Sequence, residues 1–272
     1  MSNPFTAARP RASSLVLAAY LLAPTVAFAV GSHVAAAADM AMKSATPPAY
    51  QWSGCYVGLN GGGGAGSSNF NTTVGQGTYL GAADAATVSQ DASGSHNNSN
   101  VLGGGQVGCN WQSGTVVIGL EGDYDYFRST SAFYNNTDPP LNSGASFVAG
   151  QSLTSDYLAT VRPRIGIAAD RNFAYISGGV AFADAKYTES YVDTTPAAGS
   201  ATVTKELTGW VAGAGWEYAW TDHWIIRFEY LYAAFPNTTL NGVITTVGGS
   251  NPFHGSADLT LQVARAGLNF KF

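Results

Sequence analysis

The groups able to do chemistry recur at a spacing of two: Glu121, Asp123 and Asp125; Arg162 and Arg164; Glu217; Arg227 and Glu229; Arg265. In an extended strand, residues two apart fall on one face, so each set presents its charges to the same side. Opposite signs on facing strands suit an ion-pair network or the lining of a narrow aqueous path. They do not suit an acid and base isolated in an apolar cleft. Of the histidines His33, His96, His223 and His254, none stands at a metal-ligand spacing, and Cys55 and Cys109 form no C-x-x-C motif, so no metal site is expected. No glycine-rich stretch runs into the lysine and helix of a phosphate-binding loop. A lipid hydrolase would need a nucleophile and base at one rim, and His96 and His254 lack partners at a specifying distance. The expectation is no catalytic residue, no cofactor and no enzymatic activity.

The elements that must position these charges show period-2 alternation. Eight strands are read, at about 51–64, 101–111, 115–127, 153–169, 172–186, 206–219, 223–235 and 257–272. Connections of roughly 65–100, 128–152, 187–205 and 236–256 are long. Those at Gln112-Ser113-Gly114, Asp170-Arg171 and Trp220-Thr221-Asp222 are short. The fold class predicted is all-β: an eight-stranded antiparallel up-and-down transmembrane β-barrel with four long external loops. Such strands are long enough to cross lipid when tilted, and short turns at one rim with long loops at the other mark a bacterial outer-membrane barrel.

Composition agrees. Charged residues make up only 11% of the 272 residues, against roughly 25% in an ordinary soluble domain, and no apolar run after residue 40 is long enough for a spanning helix. Residues 1–38 hold Arg9 and Arg11, no acid, an apolar stretch 15–30 and the run Ala35-Ala36-Ala37-Ala38. That is the pattern of a cleaved signal peptide. Cleavage after Ala29 or after Ala38 fits, the latter preferred because it leaves a polar start. Residues 39–50 read as a periplasmic lead-in and 51–272 as the barrel, with no separate peptidoglycan-binding domain. The net charge of −5 excludes a basic nucleic-acid-binding surface.

Facing separates a membrane barrel from a soluble carrier barrel. Ile118, Leu120, Tyr124 and Tyr126 oppose Glu121, Asp123 and Asp125; Tyr157, Val161, Ile165 and Ile167 oppose Thr160, Arg162 and Arg164. Ile226, Phe228, Tyr230 and Tyr232 oppose Arg227 and Glu229, and Leu268, Phe270 and Phe272 oppose Arg265, Asn269 and Lys271. The charged face cannot touch lipid, so it must line the interior. Trp52, Trp111, Trp216, Trp220 and Trp224 at the short-turn end, with Tyr126, Tyr157 and Phe235 at the other, are read as two interfacial girdles. Gly58, Gly119, Gly166, Gly179, Gly213, Gly215 and Gly267 are read as making room for bulky inward neighbours.

Seven stretches carry a family resemblance: WSGCYVGLNGG (52–62), GGGQVGCNWQ (103–112), VIGLEGDYDY (117–126), ATVRPRIGIA (159–168), YISGGVAFAD (175–184), TGWVAGAGWEYAWTDHWIIRFEYLY (208–232) and VARAGLNFKF (263–272). Through these the chain resembles the small porin-like outer-membrane β-barrel family of alpha-proteobacterial surface proteins. Its members are often called outer-membrane immunogenic proteins and are akin to OmpA-type barrels. The resemblance implies location in the outer membrane of a Gram-negative bacterium, with lipid, lipopolysaccharide and the barrel-insertion machinery as partners. It also implies that Leu268, Phe270 and Phe272 form the C-terminal insertion signal. The family often carries aromatics where this chain has Cys55 and Cys109. Both positions face outward near the short-turn rim on neighbouring strands, so a cross-strand disulfide is expected, the alternative being two free cysteines acting as small apolar surface residues. Two functions stay open: an anchor holding external loops, whose partner the sequence does not name, for envelope integrity or surface interaction with a charge-plugged lumen, and a narrow porin for ions or very small solutes.

Overall fold

The computed structural model describes residues 49–135, 141–142 and 144–272, so the leader 1–38 and most of the 39–50 lead-in lie outside the described residues. The chain falls into two units, Met1–Thr46 and Pro47–Phe272, and the second is the barrel. Its strands are β1 (Gly54–Val74), β2 (Gly94–Ser113), β3 (Val116–Asn135), β4 (Phe147–Ala169), β5 (Asn172–Asp193), β6 (Ala198–Ala219), β7 (Trp224–Thr246) and β8 (Gly249–Lys271). Each pairs antiparallel with its sequence neighbours, and β8 closes on β1. Closure leaves no open edge at the level of the hydrocarbon, where each unpaired backbone group would cost several kcal/mol.

Alternation does what period-2 sequence demands. Ile118, Leu120, Tyr124, Val161, Ile165, Phe228 and Leu268 are exposed on the outer wall, while Glu121, Asp125, Arg162, Arg164, Arg227 and Arg265 are buried inside. The short turns fall where expected. Gly114 has φ +62°, a left-handed conformation that favours glycine, and Asp170 takes it at φ 50°.

The connections at the other rim differ from expectation. The strands run 20 to 23 residues, about twice the 9–11 that span lipid, so most of the sequence read as loop is strand. The β5–β6 connection shrinks to 194–197 and the β7–β8 connection to 247–248; 136–146 joins β3 to β4. Between β1 and β2, 75–93 carries a helix, α1 (Ala82–Asp91). The physical reason is solvent. Above the lipid the outward positions face water, so they are filled by Ser67, Asn69, Asn97, Thr188, Thr202 and Asn241, and the alternation continues in residues typical of loops. The inward positions there stay mainly apolar, with buried polar exceptions at Thr72, Gln151 and Glu189.

Two girdle assignments are corrected. Trp111, Trp216, Trp220, Trp224 and Tyr126 are exposed, with Trp210 added above, but Trp52 is 0% and Phe235 6% exposed. Trp52 turns into the barrel mouth, where its indole N–H donates to the Asp170 carbonyl at 3.0 Å. Phe235 sits at an inward position just before a register shift on β7 and joins the core.

Candidate functional site

The interior is filled in layers. At the short-turn end, Tyr50, Trp52, Phe173, Tyr175 and Ile225 pack together, the Tyr50–Trp52 and Trp52–Phe173 rings 5.0 and 5.1 Å apart. Tyr50, just before β1, is held at this mouth by its N–H, which donates to Asp170 Oδ1 at 3.1 Å, and by Lys271 Nζ, 4.3 Å from its ring centroid.

Above this layer lie the nine charged residues singled out from their spacing, four guanidiniums and five carboxylates. Arg162 donates from Nη2 to Glu121 at 2.7 Å and Asp123 at 2.8 Å, and from Nη1 to Glu229 at 3.0 Å. Arg164 donates to Glu217 at 2.7 Å and, from Nε, to Asn110 at 3.1 Å. Arg227 donates from Nε to Glu217 at 2.8 Å and from Nη2 to Glu121. Arg265 donates to Glu229 at 2.6 Å, to Asp123 at 3.2 Å and to Asp125. All nine are at most 7% exposed. Burying charges of one sign would be prohibitive, so the alternation of signs is first a requirement for folding.

The spacing placed these residues on one face; the pairing had to come from the barrel. Arg164 and Glu217 lie on strands separated by β5, joined across the interior. Tyr56 and Tyr175, at inward positions the alternation already marks, complete the site. Their hydroxyls donate to Glu121 and, at 2.9 Å, to Glu229. Their rings lie under Arg164 with both centroids 4.9 Å from Cζ, so the guanidinium is held by aromatic faces as well as carboxylates. Gly179 and Gly215 do make room, but not for charged side chains: a Cβ on Gly215 would come 2.5 Å from the Tyr175 ring, and one on Gly179 would come 2.1 Å from the Val161 carbonyl oxygen.

Above the charges the interior is apolar. Phe127, Leu158, Leu231, Leu259, Leu261 and Val263 are at most 2% exposed and belong to one cluster that reaches the outer end. Within it lies a polar group the sequence reading missed: Glu189, 4% exposed, accepts from Thr72 Oγ1 at 2.5 Å and from the Tyr187 hydroxyl at 3.2 Å. α1 was missed too, although the alanine-rich run 82–86 has strong helix propensity. His96 packs on Phe70 at 6.0 Å, and the exposed His254 bonds Asn241 at 2.7 Å between Nδ1 and Oδ1.

Cys55 and Cys109 are register partners on β1 and β2, and their sulfurs are bonded, with Cα atoms 4.0 Å apart. Leu268, Phe270 and Phe272 all face outward, 42%, 38% and 72% exposed, and the Phe272 N–H donates to the Cys55 carbonyl at 3.1 Å.

The chain is 29% identical over 265 residues to the 31 kDa outer-membrane immunogenic protein of Brucella melitensis biotype 1, covering 94% of this chain and 99% of that one. It is 26% identical over 229 residues to the 25 kDa outer-membrane immunogenic protein of Brucella abortus biovar 1, covering 83% and 81%. Among solved structures, the outer membrane protein OprG from Pseudomonas aeruginosa aligns with TM-score 0.41 at 10% identity, over 82% of this chain and 99% of that one. The model of the outer membrane protein beta-barrel domain matches residues 25–272. With this family model matching residues 25–272 and the Brucella relatives aligned over most of their length, the chain belongs to the outer-membrane β-barrel family and resides in the outer membrane of a Gram-negative bacterium.

Proposed function

We propose that this protein is a non-conducting, non-enzymatic anchor: a barrel that fixes a surface-exposed extension in the outer membrane, for envelope integrity or surface interaction. The observation that carries this reading is the filled interior, in which an aromatic layer, a ring of ion pairs and an apolar layer are stacked in series. An eight-stranded barrel has a lumen about filled by its own side chains, and aqueous channels belong to larger strand numbers. Ions crossing here would have to part buried ion pairs and then pass a packed, mainly apolar layer whose polar side chains, Ser129, Ser155, Thr238 and Gln151 among them, are themselves buried, the second step adding a barrier that charged residues alone would not. In this reading Leu268, Phe270 and Phe272 present the insertion machinery with a lipid-facing C-terminal strand. The outer wall below Tyr126 and Trp210 meets lipid, and the polar strands above meet lipopolysaccharide.

The test is single-channel recording of the mature chain in planar bilayers, beside an Arg162→Ala/Arg164→Ala variant. The expected result is silence from the folded wild type. Discrete openings whose size or ion selectivity changes in the variant would establish the narrow porin instead.

A further inference from the structure

The barrel is continuous only through its lower half. The β2–β3 ladder ends at Gly103 opposite Tyr126, and above it, among the described residues, 94–102 and 127–135 form no ladder. On the opposite side of the ring, β6 and β7 pair up to Trp210 opposite Ala234 and meet again only at Ala198 opposite Thr245. Between those two pairs β6 advances twelve residues and β7 eleven. The register is thus out by one, and Pro236 has no N–H to donate.

The other six ladders continue upward: β1–β2 to Phe70 opposite Gly94, β3–β4 to Asn135 opposite Ala149, β5–β6 to Val192 opposite Ala198, and β7–β8 to Thr246 opposite Gly249. The two seams lie half a ring apart. They divide the upper wall into two four-stranded sheets, β7-β8-β1-β2 and β3-β4-β5-β6, whose inner faces meet as in a sandwich, held mainly by side chains, with the single pair Ala198–Thr245 joining them at the tip of one seam.

A small set of polar contacts crosses between the sheets. Gln151 of β4 donates from Nε2 to Thr72 Oγ1 of β1 and to the Ala92 carbonyl after α1, both at 2.5 Å, and Thr72 donates on to Glu189 of β5. Tyr79, in the segment tied to Asn251 of β8 through the Leu80 N–H at 2.7 Å, donates to Asp193 of β5. Glu189 has no ion-pair partner among the described residues. The void beside it, about 10 Å³, hardly holds one water. The titratable groups that act on it are Tyr187 on β5, whose hydroxyl donates to it, and His254 on β8, with Tyr191 lining the same void, while Thr72 of β1 and Gln151 of β4 are neutral donors.

We propose that the part of the protein above the membrane is a two-jawed clamp, β7-β8-β1-β2 against β3-β4-β5-β6, hinged on the continuous lower barrel and latched by protonation of Glu189. When the jaws close, the carboxyl enters an apolar core with neutral donors only; when they part, water reaches it. Burial accordingly pushes its pKa above the usual glutamate value. The closed form binds the proton more tightly, so acidity favours closure. Closure weakens as pH rises above the ordinary glutamate value, by up to about tenfold in the closed-to-open ratio per pH unit until the folded-state value is passed.

The test is a distance measurement between spin labels at the exposed outer positions Tyr134→Cys on β3 and Val243→Cys on β7, in the full mature chain in lipid nanodiscs, with the native disulfide intact. Raising pH from about 5 to about 8 should build up a longer-distance population. Glu189→Gln, which carries the neutral amide, should hold the short distance throughout. A cross-link between Asn98→Cys and Ser129→Cys, whose parent side chains touch at 2.8 Å across one seam, should suppress the longer population. An unchanged distance in the wild type, or a Glu189→Gln variant that opens like it, would overturn the proposal.

Discussion

Arg227 donates to Glu217 and Glu121 while its guanidinium lies 5.6 Å from the Tyr56 ring centroid. Replacing it with methionine preserves much of the volume but strands two carboxylates. Removing one partner of a buried pair costs about 3–5 kcal/mol, so Arg227→Met should lower the unfolding free energy of the detergent-solubilised barrel by that amount, read as a lower urea midpoint. Arg171→Ala, which removes an exposed turn pair with Asp222, should leave the midpoint in place. Gly179 tests the other half of the packing argument. Its missing Cβ is matched to backbone of the next strand, with Arg162 Cα 2.9 Å from the built position, so the strain cannot be relieved by turning a side chain. Gly179→Ala should cost roughly 1–3 kcal/mol in the same unfolding measurement.

At the scale of elements, the informative feature is the long upper half of each strand and the 75–93 segment strapped over it. Tyr79 reaches Asp193, which also accepts from the Tyr191 hydroxyl and from the Thr195 and Ala197 N–H groups at 2.9, 2.9 and 3.2 Å. Burial pushes this carboxyl up, but the donors outweigh it and hold it below the usual aspartate value. A depressed carboxylate contributes stability above its unfolded value and loses it as pH falls through the folded one. The strap should thus hold through mild acid and release only below the ordinary aspartate range. Carbon-detected NMR of the Asp193 carboxyl should show a titration midpoint under that range, rising in Tyr79→Phe.

For the whole molecule, β1 is held on both sides, by ring closure on β8 and by the cross-strand disulfide to β2. The bond joins residues 54 apart, and removing a cross-link over such a loop should cost about 2–4 kcal/mol through the freed unfolded chain. Cys55→Ser with Cys109→Ser should lower the unfolding midpoint accordingly and leave the ladder spectroscopically intact. A thiol reagent should label the denatured wild type only after reduction.

The facing of Glu121, Arg162, Arg227 and Arg265, the three short turns and the number of strands were legible in the sequence, because a strand's two faces alternate residue by residue and lipid tolerates no charge on one of them. The opposition of Cys55 and Cys109 was legible too, from their place near one rim on the outward faces of neighbouring strands. Which guanidinium meets which carboxylate was not: Arg164 and Glu217 are 53 positions apart, on strands that are not neighbours. Nor was the height of the barrel above the lipid, since water accepts Ser, Thr and Asn on a strand as readily as in a loop, and the pattern carries no mark where lipid ends. Trp52 was misplaced because a tryptophan at the rim satisfies its N–H equally from headgroups outside or, as here, from the Asp170 carbonyl within. The division of the upper wall into two sheets rests on where two ladders stop, β2–β3 at Gly103–Tyr126 and β6–β7 at Trp210–Ala234, and pairing between strands leaves no mark in the alternation of either one. Local alternation fixed which way each side chain points, and only closure of the ring decided what it meets.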